Sequence, residues 1–272
     1  MRLLSVSQES AGLARMKFIS NTTVYVEKSL STTLFLKGDV IMKLTQKPCL
    51  YADMLQCRNA GGKVLYETET ALLLQGRISK ILYSAAADEQ AGKEIVEHLP
   101  KQFPILVAHD TYTDPWLKSM RRLHCELECV HCVYVKAEPP AVALPEGFVI
   151  KRLDASHTQN IIALYRHSME SLANEQYIGE CLKDGMYGAF YGNELCGCIG
   201  VHEQESIGIL EVHPKWRRKG LAVALEQVMI GKQLERGRLP YGEIVKDNIA
   251  SIRLQKKAGM ITDERLTYWY FP

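Results

Sequence analysis

The chain has 272 residues, 47% of them hydrophobic and 24% charged, with a formal net charge of +2. This is the composition of an ordinary globular protein long enough for two cores, and so neutral a balance argues against a general nucleic-acid or membrane-surface role. No apolar run approaches the ~20 residues of a membrane span, and residues 1–10 lack the apolar core of a signal peptide, so a cytoplasmic protein with no membrane partner is expected. In that setting the eight cysteines should be reduced and mostly buried.

In the N-terminal half, residues 63–75 and 78–86 read as strands, 89–98 as a helix, 104–108 as a strand, 115–123 as a helix and 127–135 as a strand. The stretch from His124 to Cys132 holds a C-x-x-C and two histidines. A structural zinc site usually needs a second such pair, which the sequence lacks. In a strand, moreover, alternate residues point to opposite faces and cannot all meet on one ion. No metal is expected. Residues 137–147 carry Pro139, Pro140, Pro145 and Gly147 and read as a stiff linker, which divides the chain into domains at 1–136 and 148–272.

After the linker, 148–153 is a predicted strand. Asp154 then caps a helix through Ile161, Ile162, Leu164 and Tyr165, and a second helix covers 174–183. Residues 186–191 and 195–202 form a hairpin across Gly192-Asn193. A buried strand over 207–212 stops at Pro214, and a basic, glycine-containing loop leads into a helix with Leu221, Ala224, Leu225, Val228 and Met229 on one stripe, ending near Gly237. Residues 240–245 are a strand. Asp247 or Asn248 caps a helix over 252–258, Gly259 ends it, and 267–271 is the last strand. The order of elements in the second half echoes that of the first, as an internal duplication would.

The loop carries the chemistry. A helix N-terminus offers free N–H groups and about half a positive charge, and so binds phosphate. Gly220 lets the backbone come close, small Ala222 keeps the helix start uncrowded, and Arg217, Arg218 and Lys219 add charge. At the matching place the first half has Asp88 and Glu89, which would repel a phosphate; that copy is expected to be structural or to wall the substrate cleft. The bland reading of the basic run is a solvated patch or a nucleic-acid contact.

Arg217, Gly220 and Ala222, preceded by Val212-His213-Pro214, resemble the signature of the GNAT superfamily of acyl-CoA-dependent N-acyltransferases. Asn248, Ser251, Leu254, Lys257, Gly259 and Met260 follow a second patch of that family's pattern. The resemblance covers about 148–272, and the duplicated layout looks most like the glycine N-acyltransferase branch. It implies an α+β (mixed α/β) fold, a central, mostly antiparallel sheet flanked by helices, with a degenerate, similarly built N-terminal domain. It also implies acetyl-CoA or another acyl-CoA as co-substrate. The backbone of Leu210 and Val212 would meet the pantetheine arm, and Arg217, Arg218, Lys219, Gly220, Leu221, Ala222, Asn248 and Ser251 would complete the cofactor site.

Acyl transfer from a thioester needs a neutral amine, a stabilised oxyanion and a way out for the thiolate. Backbone Val212 N–H is the expected oxyanion donor. Glu243 and Glu211, carboxylates near the C-terminal ends of apolar strands, are the expected bases, with burial raising their pKa; His202 and His213 rank below them. Many family members place a tyrosine acid where this chain has Gln255, so Tyr241 or Tyr268 must act instead, or the thiolate leaves unassisted, or the domain binds acyl-CoA without fast turnover. Cys196 and Cys198 are read as packing residues. The expected partner is a small-molecule or amino-acid amine, with a homodimer allowed for. The rivals are a weak acyl-CoA-binding module and a nucleic-acid-binding protein using Arg217-Arg218-Lys219.

Overall fold

The computed structural model describes residues 16–19, 23–26, 46–120, 123–165 and 173–272. Two short strands, β1 (Met16–Ile19) and β2 (Thr23–Val26), pair antiparallel. Next come α1 (Ala52–Asn59), β3 (Lys63–Glu67), β4 (Ala71–Gln75), β5 (Leu82–Ala86), α2 (Glu89–Glu97), β6 (Leu106–Ala108), α3 (Asp114–Ser119) and β7 (His124–Val133). Residues 137–147 hold no helix or strand. Then follow β8 (Phe148–Arg152), α4 (Thr158–Tyr165), α5 (Glu175–Asp184), β9 (Tyr187–Tyr191), β10 (Glu194–Val201), β11 (Ile207–Val212), α6 (Leu221–Glu235), β12 (Tyr241–Val245), α7 (Ile249–Ala258) and β13 (Ile261–Phe271).

The second half matches its expected elements closely, except that β13 starts six residues before the predicted 267. The first half needs corrections. Residues 63–75 are not one strand but the hairpin β3–β4, because the Thr68 hydroxyl accepts from the N–H groups of Thr70 and Ala71 and turns the chain. Residues 78–81 precede β5 rather than belonging to it. Helix α1 went unpredicted because its buried face includes Asp53 and Gln56 beside Ala52, Met54 and Cys57, which erases the apolar stripe.

Two sheets form the body. One runs β11-β10-β9-β8, the other β12-β7-β13-β6-β5-β4-β3. Among the described residues every ladder is antiparallel except β5–β6. The last strands of the two halves change places: β7 pairs with β12, and β13 pairs with β6, while β7 and β13 pair with each other. The long sheet therefore passes across the 137–147 segment. Alternation along the strands gives each face its own core. Leu72 and Leu74 pack with Met54 of α1, and Leu73 packs with Ile95 of α2. On the shorter sheet, Cys196 and Ile199 pack with Leu225 and Met229 of α6, while Cys198 and Ile209 pack with Ile161 of α4 and Ile178 of α5. Among the described residues no helix is long and apolar enough to cross a membrane.

Candidate active site

Strand β11 is irregular where it matters. Its ladder with β10 pairs Gly200 with Gly208 and Cys198 with Glu211, so Ile209 and Leu210 together face Ile199. That bulge puts Ile209 at φ +53°, a left-handed conformation that is costly for a β-branched side chain. Such strain persists where the surrounding structure enforces it, and it clusters at functional sites. Beyond Val212, Pro214–Trp216 make one 3-10 turn, started by the His213 ring accepting from Lys215 N–H. The turn is pinned to β10, for Glu194 accepts from Trp216 Nε1 at 2.9 Å and pairs with Lys215 at 3.1 Å. Arg217 Nε reaches back to Val212 O at 3.0 Å, tying the loop to the strand end. Arg218 (φ +66°) and Gly220 (φ +86°) both turn left-handed, and α6 opens at Leu221.

The two halves of the chain differ at the corresponding place. In the first, β5 and β6 are hydrogen-bonded neighbours, with Leu82 opposite Leu106 and Ser84 opposite Ala108. The helix between them is capped, since the Asp88 carboxylate accepts from Ala91 N–H at 2.8 Å. In the second, β11 and β12 share no ladder and end different sheets. They meet at their beginnings, where a Cβ on Gly242 would lie 3.3 Å from Ile207 O. The helix between them, α6, starts on Gly220, whose N-cap position has no side-chain hydrogen bond. A gap beside an uncapped helix start is what a long, flexible ligand ending in a diphosphate requires.

The predicted carboxylates separate. Glu211, half-buried on β11 one residue before Val212, lies on the α4 face. There it adds to the burial that raises the Tyr165 hydroxyl, and after burial it helps push the Cys198 thiol up to about 12. Glu243 is fastened deeper. Its side chain is 7% exposed, Oε2 accepts from Gln204 at 3.1 Å, and Oε1 lies 3.5 Å from His131 Nε2. His131 belongs to a buried set that sequence spacing did not reveal. His109 Nε2 is 2.8 Å from Asp53 Oδ1, and His131 Nε2 is 3.9 Å from Asp53 Oδ2, all with fully covered side chains. Burial pulls the His131 pKa down, but Asp53 and then Glu243 outweigh it and hold the ring up to about 9. Burial likewise favours the neutral form of Asp53, and His109 and His131 reverse it. His202 contacts the Tyr177 hydroxyl, and its ring occupies the place a Gly208 Cβ would take; burial lowers its pKa and keeps it neutral.

On the other face, Gln255 is buried on α7 beside Glu226 of α6, and neither carboxyl oxygen of Glu226 finds a hydrogen-bond partner. Burial, partly opposed by the Gln255 amide, raises Glu226 from 4.5 to about 7. Between those pH values the folded chain keeps a proton that the unfolded chain has released, so stability falls as pH rises through that window and stays lower above it. Glu226→Gln should remove the fall. Thermal melts should show the variant more stable than wild type at pH 8, by on the order of 3 kcal/mol, with the two converging towards pH 4.5.

The remaining expected residues are placed as follows. Leu210 and Val212 flank Glu211 and pack on the α6 side. Asn248 caps α7, its Oδ1 accepting from Ser251 N–H at 3.0 Å, so those two residues serve each other. Lys219 lies over the Trp216 ring. Tyr241 is fully buried and donates to Gln204 O at 2.6 Å. Tyr268 sits on β13 opposite Ala108 and Glu128, strands away from β11. Cys196 and Cys198 are buried, and all eight cysteines are free thiols.

Residues 153–260 match the Acetyltransferase (GNAT) family. No curated protein sequence matches the chain. Among solved structures, a Drosophila protein is 20% identical, with 74% of this chain and 73% of that one covered and a TM-score of 0.59. A GCN5-related N-acetyltransferase from Kribbella flavida is 9% identical, with 82% and 93% covered and a TM-score of 0.56. One from Sphaerobacter thermophilus is 14% identical, with 82% and 88% covered and a TM-score of 0.50. The mixed α+β fold, with mostly antiparallel sheet flanked by helices, is the GNAT fold, and residues 153–260 are the part of the chain that the GNAT acetyltransferase family matches.

Proposed function

We propose that the gap between β11 and β12 receives the pantetheine arm of an acyl-CoA, most simply acetyl-CoA, and that the chain transfers the acyl group to a primary amine of a small molecule or amino acid. The observation that carries this reading is the contrast between the repeats: strands zipped and helix capped by Asp88 in the first, strands parted and helix start uncapped at Gly220 in the second. On this reading residues 148–272 are the acyl-CoA domain and 1–136 a degenerate copy. The amides from Arg218 to Ala222 take the diphosphate, with Arg217 and Lys219 adding charge, and backbone groups of Leu210 and Val212 take the arm and the thioester oxygen.

The chemistry is a direct transfer in a ternary complex. The amine nitrogen bonds to the thioester carbon, the ammonium proton passes to a base, and the C–S bond breaks to release CoA thiolate. Of the two expected carboxylates we assign Glu211 as the base, directly or through one water, because it lies beside Val212 whereas Glu243 is held by Gln204 and faces His131. Asn248 and Ser251 shape the start of α7 next to the gap.

A panel of amines incubated with acetyl-CoA tests the proposal. Thiol release should accompany a mass gain of one acetyl group on at least one amine. Binding of acetyl-CoA with no transfer to any amine would favour the binding-module reading, to which the burial of Gln255 at the tyrosine position lends support.

A further inference from the structure

Asp53 comes from α1, His109 from the residue after β6, His131 from β7 and Glu243 from β12, yet their polar ends converge in one dry place. Both histidines are aimed by the same device. His109 Nδ1 lies 2.9 Å from Ser84 O, and His131 Nδ1 lies 3.0 Å from Leu50 O. A carbonyl only accepts, so Nδ1 carries a hydrogen in each ring and Nε2 is the atom that points into the cluster. That is the outer-shell arrangement which orients metal-bound imidazole.

The separations favour an ion over a bare proton. One proton satisfies His109 and Asp53, whose closest contacts are 2.8 and 3.0 Å. It does nothing for His131 Nε2 and Glu243 Oε1, which are buried without a hydrogen-bond partner and stand 3.5 Å apart. Atoms sharing a tetrahedral ion at about 2.0–2.1 Å lie about 3.3 Å from one another, close to the His131–Glu243 spacing. Asp53 needs to withdraw from His109 by about half an ångström to join them.

We propose that Asp53, His109 and His131, closed by Glu243, form a buried site for one divalent cation of the zinc type. Two neutral imidazoles and two carboxylates balance its charge, which is the condition for burying it. The ion ties α1, β6 and β7 to β12, and so fixes one wall of the gap from the N-terminal half. A cavity lined by Cys57, Tyr83, Gln204 and Glu205 adjoins the cluster through Gln204, the partner of Glu243, and gives solvent an approach. This site differs from the His124-to-Cys132 cluster weighed in the sequence: of that run only His131 takes part, while Cys132 faces away and donates to Gly242 O.

The test uses the full chain, stripped with a chelator and re-supplied with zinc or cobalt. The expected results are one equivalent of zinc per chain by elemental analysis, a melting temperature raised by about 5 °C or more on zinc addition, and a cobalt spectrum with the visible bands of tetrahedral coordination. Asp53→Asn should lose the equivalent; where that variant does not fold, Glu243→Gln should bind zinc at least tenfold more weakly. Failure of the stripped chain to take up zinc or cobalt, with unchanged melting, overturns the proposal in favour of two shared protons. So does an Asp53→Asn protein that keeps its full equivalent. Neither result touches the acyl-CoA reading, which rests on the parting of β11 from β12 and the uncapped start of α6.

Discussion

Replacing Gly220 with glutamate should abolish acetyl-CoA binding, raising Kd at least 100-fold in calorimetry. Two effects combine. Gly220 sits at φ +86°, where any residue with a Cβ is strained by about 1–2 kcal/mol. The larger effect is electrostatic, because the new carboxylate would stand at the positive end of α6, where the diphosphate is assigned, and would cap the very amides the ligand needs. There is room for it, since a Cβ there would come no closer than 3.9 Å to Pro145. Gly220→Ala separates the two effects: it carries the strain without the charge and should keep affinity within about fivefold of wild type. Equal affinity in wild type and Gly220→Glu, with both folded, would remove the phosphate from this helix end.

Glu211→Gln should lower kcat by about 10²–10⁴-fold, the usual worth of a general base, while KM for acetyl-CoA stays within about threefold. The swap keeps size and hydrogen-bonding capacity, so packing against the α4 face survives. Glu243→Gln provides the contrast. It alters a residue joined to Gln204 and His131, so its effect should appear chiefly in stability. A wild-type kcat in Glu211→Gln, or a selective collapse of kcat in Glu243→Gln, would exchange the two roles.

What the sequence made legible follows from how local each feature is. The loop to which we assign the phosphate is contiguous: a strand end, a proline, a basic turn, a left-handed glycine and a helix start all lie within 207–222, and each leaves its mark in residue type. The caps at Asp154 and Asn248 are equally local and were readable, whereas those at Asp88 and Asn174 appear only in the structure. The exchange of β7 and β13 was not, because strand pairing partners leave no trace in the strands' own alternation. Helix α1 hid because it buries an aspartate and a glutamine for the sake of contacts made by residues far along the chain: Gln56 meets Leu239 N–H, and Asp53 meets His109. The same distance effect concealed the Asp53–His109–His131 set, whose members lie 56 and 22 residues apart and follow no spacing rule. Glu226 looked like an ordinary helix residue, and only packing beside Gln255 shows it to be covered.

On the proposed reading, the backbone amides opening α6 grip the diphosphate of CoA while its arm lies between β11 and β12. A crystal structure of the chain with CoA tests it most directly. The predicted result has diphosphate oxygens about 3 Å from the N–H groups between Arg218 and Ala222, with the thiol end beside Val212. A nucleotide bound elsewhere, with a side chain seated on the α6 amides, would contradict the account.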